Sequence, residues 1–390
     1  MQRIYLDYAA TTPVDERVLR AMEPFHATHF GNPSSLHLWG QEASRAVYGA
    51  RRVIASYIGA LPKEIIFTSG ATEANNLILQ QIVLEAKKRG VKHPKIIVSS
   101  IEHESVLETA KNLALFGVSV VCLKVSRTGL LDLEHLKKVL DTDTVLVSVM
   151  YANNEVGTIE PIAEISSIIK NFKAHAKNVS YPFFHTDASQ ALQFLNCDVT
   201  TVGVDAMTLS SHKIYGPKGV GALYLRKAKQ DLLSSFITGG GQEENFRSGT
   251  ENVPGIVGFA EAVALLKKEQ SRDIERISRL RVKLFRGIET IYKKARLNTP
   301  KNALPNNLNV YFPNMKAHDL VIALDMLGVG VSAGSACALR TSEPSHVLRA
   351  MGYPKSRLTE SIRFSLGRPT TAKEIIETVG RIKTVIKRGV

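Results

Sequence analysis

Short runs rich in β-branched residues alternate with longer helical stretches over the first two thirds of the sequence. This alternation predicts an α/β fold with a mainly parallel sheet, because a chain must cross back through a helix before it adds the next parallel strand. The predicted strands are KIIVSS (95–100), TVLVSVM (144–150), YPFFHTDAS (181–189), DAMTLSS (205–211) and GALYLR (221–226). We place this large domain at residues 15–257.

The last third of the sequence has a different pattern. A helix near 258–297 precedes predicted strands at LNVYFP (308–313) and SIRFSLG (361–367), and helices follow. This order is typical of a smaller α+β domain, which we place at 258–390. We expect the first residues, 1–14, to pack with that smaller domain.

Five polar loops directly follow predicted strands. Because ligands of an open α/β sheet bind at the carboxyl ends of its strands, we expect these loops to form one site. The loops are TSGATEANN (68–76), SSIEHESV (99–106), YANNEVG (151–157), HTDASQ (185–190) and SSHKIYG (210–216).

Composition narrows the class of protein. The chain has 390 residues, 44% of them hydrophobic, and no apolar run long enough for a signal peptide or a membrane span, so we expect a cytoplasmic protein without membrane association. The net charge of +14 suits acidic partners or anionic substrates. Acidic and basic residues alternate, however, along residues 268–297 of the predicted long helix, and no basic motif interleaved with aromatic residues occurs. This pattern favours a solvated helix surface over a nucleic-acid binding site. Three cysteines without a CxxC pair indicate neither a disulfide framework nor a metal site.

The loops carry the parts that a pyridoxal phosphate (PLP) site needs. TSGATEANN offers small residues and free backbone N–H groups where a helix begins, which suits a phosphate, and no nucleotide P-loop motif is present. Asp187, at a strand end, is by itself more typical of a helix cap, and Lys213 by itself of a solvated surface. Together, a phosphate cradle, an acid for a ring nitrogen and a lysine for an imine match what the protein supplies to PLP.

Eleven strings along nearly the whole chain resemble one family. They are YLDYAATTP, FGNPSS, FTSGATEANN, EHESV, NNEVGT, HTDASQ, SSHKIYGPKGVGALY, GGGQEENFRSGT, SAGSAC, EPSHVLRAMG and SIRFSLGR. The chain resembles the cysteine desulfurases of the NifS/IscS type, within the class V aminotransferase family of fold-type I PLP enzymes. The resemblance implies a large domain with a mainly parallel, seven-stranded sheet.

The resemblance also implies roles for residues of the cofactor site. Lys213 would form the imine with PLP and later move protons at the substrate Cα, and Asp187 would hold the pyridinium nitrogen. Gln190 would reach the phenolic oxygen, and His103 would stack on the ring and manage the substrate thiol proton. The phosphate would be held by Ala71, Thr72, Ser210 and His212, with Thr250 reaching the phosphate of a neighbouring subunit, which implies a homodimer.

The implied substrate is L-cysteine. Arg363 would pair with its carboxylate through the guanidinium fork, although an arginine between Ile and Phe is often a structural ion pair. Asn154 would support the same carboxylate, and Asn32 would line that end of the site.

Cys337 decides the activity that the resemblance implies. Its thiolate would attack the substrate sulfur, leaving a persulfide on Cys337 and alanine as co-product. The other two cysteines, Cys122 and Cys197, lie in apolar runs, where we expect small buried side chains.

The stretch around Cys337, at about 331–345, resembles the subgroup with an extended catalytic loop, which passes sulfur directly to iron–sulfur scaffold or sulfur-carrier proteins. The chain stops soon after IKTVIKRGV, without the longer tail that helps some members to dock a scaffold. The sequence therefore leaves the acceptor and its pathway open.

Other interpretations remain at this stage. The loops could simply be turns of an α/β protein, but that does not explain why all of them fall at one sheet edge. SSHK has the spacing of serine acyl-transfer enzymes, but the SDN and KTG strings that accompany it do not occur. An aminotransferase would not need Cys337, whereas a selenocysteine lyase would share most of the site. A non-catalytic subunit would not need Lys213, Asp187 and Cys337 together.

Overall fold

The computed structural model describes residues 3–176, 180–235, 237–334 and 344–388. The β-strands are β1 Ile4–Tyr5, β2 Ile65–Thr68, β3 Lys95–Ser99, β4 Ser119–Leu123, β5 Thr144–Ser148, β6 Phe183–Asp187, β7 Ala206–Ser210, β8 Gly221–Leu225, β9 Arg296–Leu297, β10 Asn307–Tyr311, β11 Val329–Gly330 and β12 Ser361–Ser365.

The α-helices are α1 Glu16–Met22, α2 Pro24–Ala27, α3 Leu38–Tyr57, α4 Ala71–Lys88, α5 Glu104–Leu115, α6 Leu133–Val139, α7 Ile162–His175, α8 Val199–Val202, α9 Val253–Ile291, α10 Ala317–Met326, α11 His346–Ala350, α12 Lys355–Thr359 and α13 Ala372–Lys387. Short 3-10 helices span Pro62–Glu64, Ser211–Lys213, Lys227–Leu232 and Glu243–Asn245. Within the part of the chain that the structure describes, no helix combines the length and the apolar character needed to cross a membrane.

A seven-stranded sheet forms the centre of the fold, in the order β2-β8-β7-β6-β5-β3-β4. Strand β8 runs antiparallel to both of its neighbours, and all other pairs are parallel, which confirms the predicted α/β class with a mainly parallel sheet. Strands β2 and β7 therefore point the same way as β3, β5 and β6. Their carboxyl ends meet at one edge of the sheet.

The central strands are apolar along their whole length because both faces of the sheet are covered. In β3, Ile97 belongs to the core on one face, whereas Ile96 and Val98 belong to the core on the other. On strand β5, Val147 belongs to the same core as Ile97, and Leu146 belongs to the core on the other face. Helices on both faces are what a parallel sheet requires, and they explain why the sequence shows continuous rather than alternating hydrophobic runs.

Strand β4 was not among the predicted strands, and it corrects one expectation about the cysteines. It pairs only with β3, at the edge of the sheet, and Cys122 on it is exposed. The prediction that Cys122 is buried is therefore wrong, because an edge strand leaves part of its surface to solvent. Cys197 is buried, as predicted, and burial raises its pKa to about 12.

A second, antiparallel sheet has the order β12-β10-β9, and the start of the chain joins this region. Strand β1 pairs in parallel with β11, and Asp7 forms an isolated bridge with Ser365 of β12. The division of the chain into domains at residues 15 and 258 stays a prediction.

The long helix α9 runs from Val253 to Ile291, so it begins and ends earlier than the predicted helix at 258–297. The side chain of Asn252 caps its start by accepting a hydrogen bond from the Gly255 N–H. The second half of the helix is rich in charged residues, but one stripe at helical spacing is buried. It is formed by Ile277, Leu280, Leu284 and Ile288. The helix packs against α3, α1 and α13, and so connects elements from both ends of the chain.

Candidate active site

A cavity of about 500 Å³ lies at the edge of the large sheet where five strands end. This volume is typical of sites for small molecules and cofactors. Each of the five predicted loops contributes to its wall, after β2, β3, β5, β6 and β7. The predicted residues that line it are Ala71, Thr72, His103, Asn154, Asp187, Gln190, Ser210, His212, Lys213 and Arg363.

Lys213 ends the 3-10 turn that follows β7, and this turn directs its side chain into the cavity. Its Nζ donates hydrogen bonds to the carbonyl oxygens of Ala9, at 2.6 Å, and Ala10, at 2.8 Å. The Thr12 hydroxyl, from the same N-terminal segment, donates to the His212 carbonyl at 3.0 Å. The start of the chain therefore lies directly against the lysine and fixes the backbone before it.

Asp187 is the last residue of β6 and is only 6% exposed. One of its oxygens accepts the Ser189 N–H at 2.9 Å, and the other accepts the Asn75 side-chain amide at 2.8 Å. The carboxylate thus caps the following turn and also borders the cavity. Two residues earlier, His185 lies between the hydroxyls of Ser148 and Thr208, and burial lowers its pKa to about 4.

His103 occupies the N-cap position of α5. Its Nδ1 accepts the backbone N–H of Ser105 at 3.1 Å and lies 2.9 Å from the Ser105 hydroxyl. Burial lowers the pKa of His103, and this effect outweighs the opposing influence of Asp187. The ring is therefore neutral near pH 7, and the cap holds it at the cavity wall.

One end of the cavity suits a phosphate group. Helix α4 begins there, and its first N–H groups, at Ala71 and Thr72, have no acceptor within the helix. The buried Ser210 Oγ lines the same wall and has no hydrogen-bond partner within the described residues. His212 lies nearby with its pKa lowered to about 4, mainly by burial and further by Lys213 and Lys218. An unsatisfied buried hydroxyl beside a helix start is what a bound phosphate would complete, so the residues fit PLP.

The other end of the cavity suits a carboxylate. Arg363 lies on β12, is 1% exposed, and donates from Nη1 to the Asn154 carbonyl at 2.9 Å and from Nη2 to Asp7 Oδ1 at 2.7 Å. Its buried Nε has no partner in the part of the chain that the structure describes. A guanidinium that keeps donors free at a cavity wall can bind a carboxylate through two parallel hydrogen bonds.

Three predicted site residues do not line this cavity. Asn32 is exposed, and its side-chain oxygen accepts the Ser34 N–H. Thr250 is also exposed and borders a separate depression of about 80 Å³. Cys337, with most of the predicted catalytic loop, lies outside the described residues.

The site also contains residues to which the sequence analysis gave no role. Asn75 and Ser105 connect Asp187 with His103, Asp7 pairs with Arg363, and the carbonyl of Ala9 accepts from both Lys213 and Gln190. All of them lie within strings that carried the family resemblance. Those strings mark a neighbourhood, but the individual contacts depend on burial and on pairing across long sequence distances.

Comparisons with known proteins show the family to which the chain belongs. The profile of the family described as "Aminotransferase class-V" matches residues 4–377. The chain is 44% identical over 388 residues to "Cysteine desulfurase IscS" of Dictyoglomus turgidum, covering 99% of this chain and 95% of that protein. It is 41% identical over 390 residues to the protein of the same name from Clostridium botulinum, covering 99% of this chain and 95% of that protein.

Among solved structures, a "NIFS-LIKE PROTEIN" matches with a TM-score of 0.91 and 39% identity, over 99% of this chain and 100% of that one. A structure described as "SspA in complex with cysteine" matches with a TM-score of 0.80 and 34% identity, over 94% of this chain and 99% of that one.

Proposed function

Because this chain belongs to the class-V aminotransferase family, we propose that it is a PLP-dependent cysteine desulfurase. It converts L-cysteine to L-alanine and keeps the sulfur as a persulfide on Cys337. One observation carries the proposal: Lys213, Asp187, His103 and Arg363 surround a single cavity that has a phosphate-binding end. The names of the relatives and the cysteine complex of a structural neighbour support the same substrate.

The cofactor is held at three points. The start of α4 and the hydroxyl of Ser210 would hold the phosphate of PLP, Asp187 would hold its ring nitrogen, and Lys213 would supply the amine that binds the cofactor. When bound, PLP supplies an electron sink for the bond that breaks at the substrate Cα. Asp187 suits its task because it is buried and already held by two N–H donors.

Arg363 orients the substrate. Its guanidinium is fixed by Asp7 and by the Asn154 carbonyl, and its remaining donors bind the α-carboxylate of L-cysteine. The amino group then lies toward Lys213, which lines the same cavity. Fixing these two groups determines where the Cβ and sulfur of the substrate lie.

The proposed reaction combines proton transfer at the substrate Cα with transfer of the substrate sulfur to Cys337. Lys213 takes the Cα proton of the substrate and returns it later. The Cys337 thiolate attacks the substrate sulfur, an S–S bond forms, and the Cβ–S bond breaks with its electron pair left on Cβ. Cβ then takes up a proton, which balances the one that Cys337 lost when its thiolate formed, and becomes the methyl group of alanine, while Cys337 carries the persulfide. His103, neutral and held by its Nδ1, hydrogen-bonds the reacting sulfur from the cavity wall.

We assign two kinds of protein partner to this function. A second copy of the chain places its Thr250 at the phosphate, which agrees with the exposure of Thr250 and with its absence from the lining of the cavity of its own chain. An iron–sulfur scaffold or sulfur-carrier protein takes the persulfide sulfur, and the net charge of +14 favours an acidic acceptor.

The test compares three single variants with the unaltered protein. The purified proteins are given L-cysteine and a reductant, and alanine, sulfide and the visible absorption of the bound cofactor are measured. We expect Cys337→Ser to keep the absorption, roughly at 400–420 nm, and to lose alanine and sulfide formation. Lys213→Ala should lose both, and Cys122→Ser, which removes an exposed thiol elsewhere, should lose neither.

Equal amounts of alanine and sulfide, formed only when Cys337 is present, would establish the desulfurase. If Cys337→Ser forms alanine as fast as the unaltered protein, the cofactor site stands but the persulfide route does not. A protein without the visible absorption would overturn the cofactor assignment itself.

A further inference from the structure

Asn75 connects Asp187 with Ser105, which in turn contacts His103. It lies on α4, is fully buried, and borders neither solvent nor the cavity. Its side-chain Nδ2 donates one hydrogen bond to Asp187 Oδ2 at 2.8 Å and another to the Ser105 Oγ at 2.9 Å. One amide group therefore contacts both the acid of β6 and the first turn of α5.

Chemistry fixes the orientation of this amide. The Asp187 oxygens can only accept, so Asn75 must present its NH₂ group, and both of its protons are then used. The consequence is visible on the other side of the amide: Asn75 Oδ1 is buried without a hydrogen-bond partner among the described residues. A buried acceptor left unpaired is costly, so the two donated hydrogen bonds outweigh the alternative orientation.

The orientation of the Asn75 amide in turn fixes the direction in which the Ser105 hydroxyl donates. Because its oxygen already accepts from Asn75, its single proton points elsewhere, and His103 Nδ1 lies 2.9 Å away. The Ser105 backbone N–H donates to the same Nδ1 at 3.1 Å. Two donors therefore converge on His103 Nδ1, which must be the ring nitrogen without a proton.

We infer that Asn75 is a positioning residue that acts through Ser105 to hold His103 as the neutral tautomer with its proton on Nε2. His103 then meets the ligand as a hydrogen-bond donor from Nε2. It can gain a second proton only at Nδ1, which would displace the Ser105 backbone N–H and reverse the hydrogen bond with the Ser105 hydroxyl. The inference deepens the proposed function, because it makes Lys213 rather than His103 the base of the site, but the tautomer itself does not depend on that function.

The groups around His103 have opposing effects on its pKa. Asp187 and Glu104 favour a charged ring, whereas Lys213 and His346 oppose it, and burial opposes it most strongly. The His346 Nε2 contacts the Glu102 carbonyl at 2.9 Å, so this second histidine is held by the residue next to His103. These opposing influences leave the contacts with Ser105 to decide which ring nitrogen carries the proton.

The experiment is ¹⁵N-detected NMR of histidine-labelled protein, with and without PLP, over a range of pH. The signal of His103, one of 11 histidines, is assigned by its loss in His103→Asn. In the unaltered protein we expect Nδ1 to show the shift of an unprotonated ring nitrogen and Nε2 that of a protonated one. A proton on Nδ1 in the neutral ring would overturn the inference without any variant.

Variants test whether the relay, meaning the contacts from Asn75 through Ser105 to His103, sets the tautomer, or whether any mutation near the site changes it. Asn75→Ala frees the Ser105 hydroxyl to turn and accept from Nδ1, and Ser105→Ala removes that hydroxyl, so in both variants the backbone N–H of Ser105 is the one donor left to oppose a proton on Nδ1. Each variant should therefore raise the pKa of His103 and admit a fraction of the Nδ1–H tautomer. Ser105→Thr keeps the hydroxyl and should keep the single tautomer. Gln81→Ala removes another buried amide of α4 and should also leave His103 unchanged.

An unchanged tautomer in Asn75→Ala would refute the inference. Desulfurase assays on the same samples keep the two proposals apart: a fixed Nε2–H tautomer without desulfurase activity supports the relay and contradicts the proposed function. Activity together with a mixed tautomer in the unaltered protein contradicts the relay alone.

Discussion

Replacing Arg363 by lysine tests how the cavity binds its substrate. The change keeps the positive charge but removes the planar fork. In the structure, Arg363 donates one hydrogen bond to the Asn154 carbonyl and one to Asp7, and its other guanidinium N–H groups remain for a ligand. A lysine ammonium is a single point of charge, so it cannot hold Asp7 and also bind a carboxylate in two places.

The size of the effect follows from the hydrogen bond that lysine cannot make. A hydrogen bond to a charged group contributes about 1.5–3 kcal/mol, and Arg363→Lys removes one of the two that the α-carboxylate would receive. Such a change in free energy corresponds to a decrease of roughly 10- to 150-fold in kcat/KM for L-cysteine. The carboxylate does not change during the reaction, so the effect should be mostly a rise in KM, with kcat little affected.

Steady-state kinetics with L-cysteine check this expectation, together with inhibition by L-alanine, which carries the same carboxylate. Both KM and the inhibition constant should rise by a similar factor. Arg276→Lys is the matched control, since Arg276 donates to the carbonyls of Thr370 and Arg368 outside the cavity lining. A fall in kcat with an unchanged KM would refute the assignment of Arg363 to the carboxylate.

Two further predictions concern stability. Leu284→Ala on the buried stripe of α9 should lower the free energy of unfolding by about 2–5 kcal/mol. Val282→Ala, on the exposed side of the same helix, should change it by no more than about 0.5 kcal/mol in denaturant unfolding. Burial raises the pKa of Glu160 to about 8, although Leu131 donates its N–H to this carboxyl group. The folded state therefore favours the protonated form, and its stability should fall as the pH rises from the ordinary value of 4.5 toward 8. Since Glu160→Gln cannot titrate, its advantage in melting temperature should grow over that range, and an advantage that does not vary with pH would contradict the account.

Five of the seven strands of the large sheet could be predicted from composition, all except β2 and β4. Strands β3 and β5 begin at the predicted residues 95 and 144, since a strand covered on both faces shows as one apolar run. The edge strand β4 has partly exposed residues instead of a continuous apolar run, so it was not predicted and Cys122 was misjudged. The neighbourhood of Asp187 and Lys213 was predictable for a topological reason, because the ends of parallel strands meet at one edge.

The contacts within the site could not be predicted in the same way. Asn75 and Asn76 are adjacent amides on α4, and only burial separates Asn75, which holds Asp187, from Asn76, which bonds to Thr72 of its own helix and to Thr109 of α5. Asp7 and Arg363 lie at opposite ends of the chain, and no local pattern links them. His103 as a helix cap is different, because its position directly before α5 is a local feature that sequence reasoning could have identified.

The first residues of the chain contact both Arg363 and Lys213, although the sequence analysis expected them only to pack with the smaller domain. Asp7 holds Arg363, and the Ala9 and Ala10 carbonyls hold Lys213, so two or three residues of backbone link the proposed carboxylate site to the proposed imine site. The segment is itself tied down, because β1 pairs with β11 and the Thr12 hydroxyl bonds to the His212 carbonyl. The spacing between Arg363 and Lys213 is therefore set by a short turn, closed by the hydrogen bond from the Ala10 N–H to the Asp7 carbonyl, rather than by the sheet alone. Within this fold, the N-terminal segment serves as part of the active site.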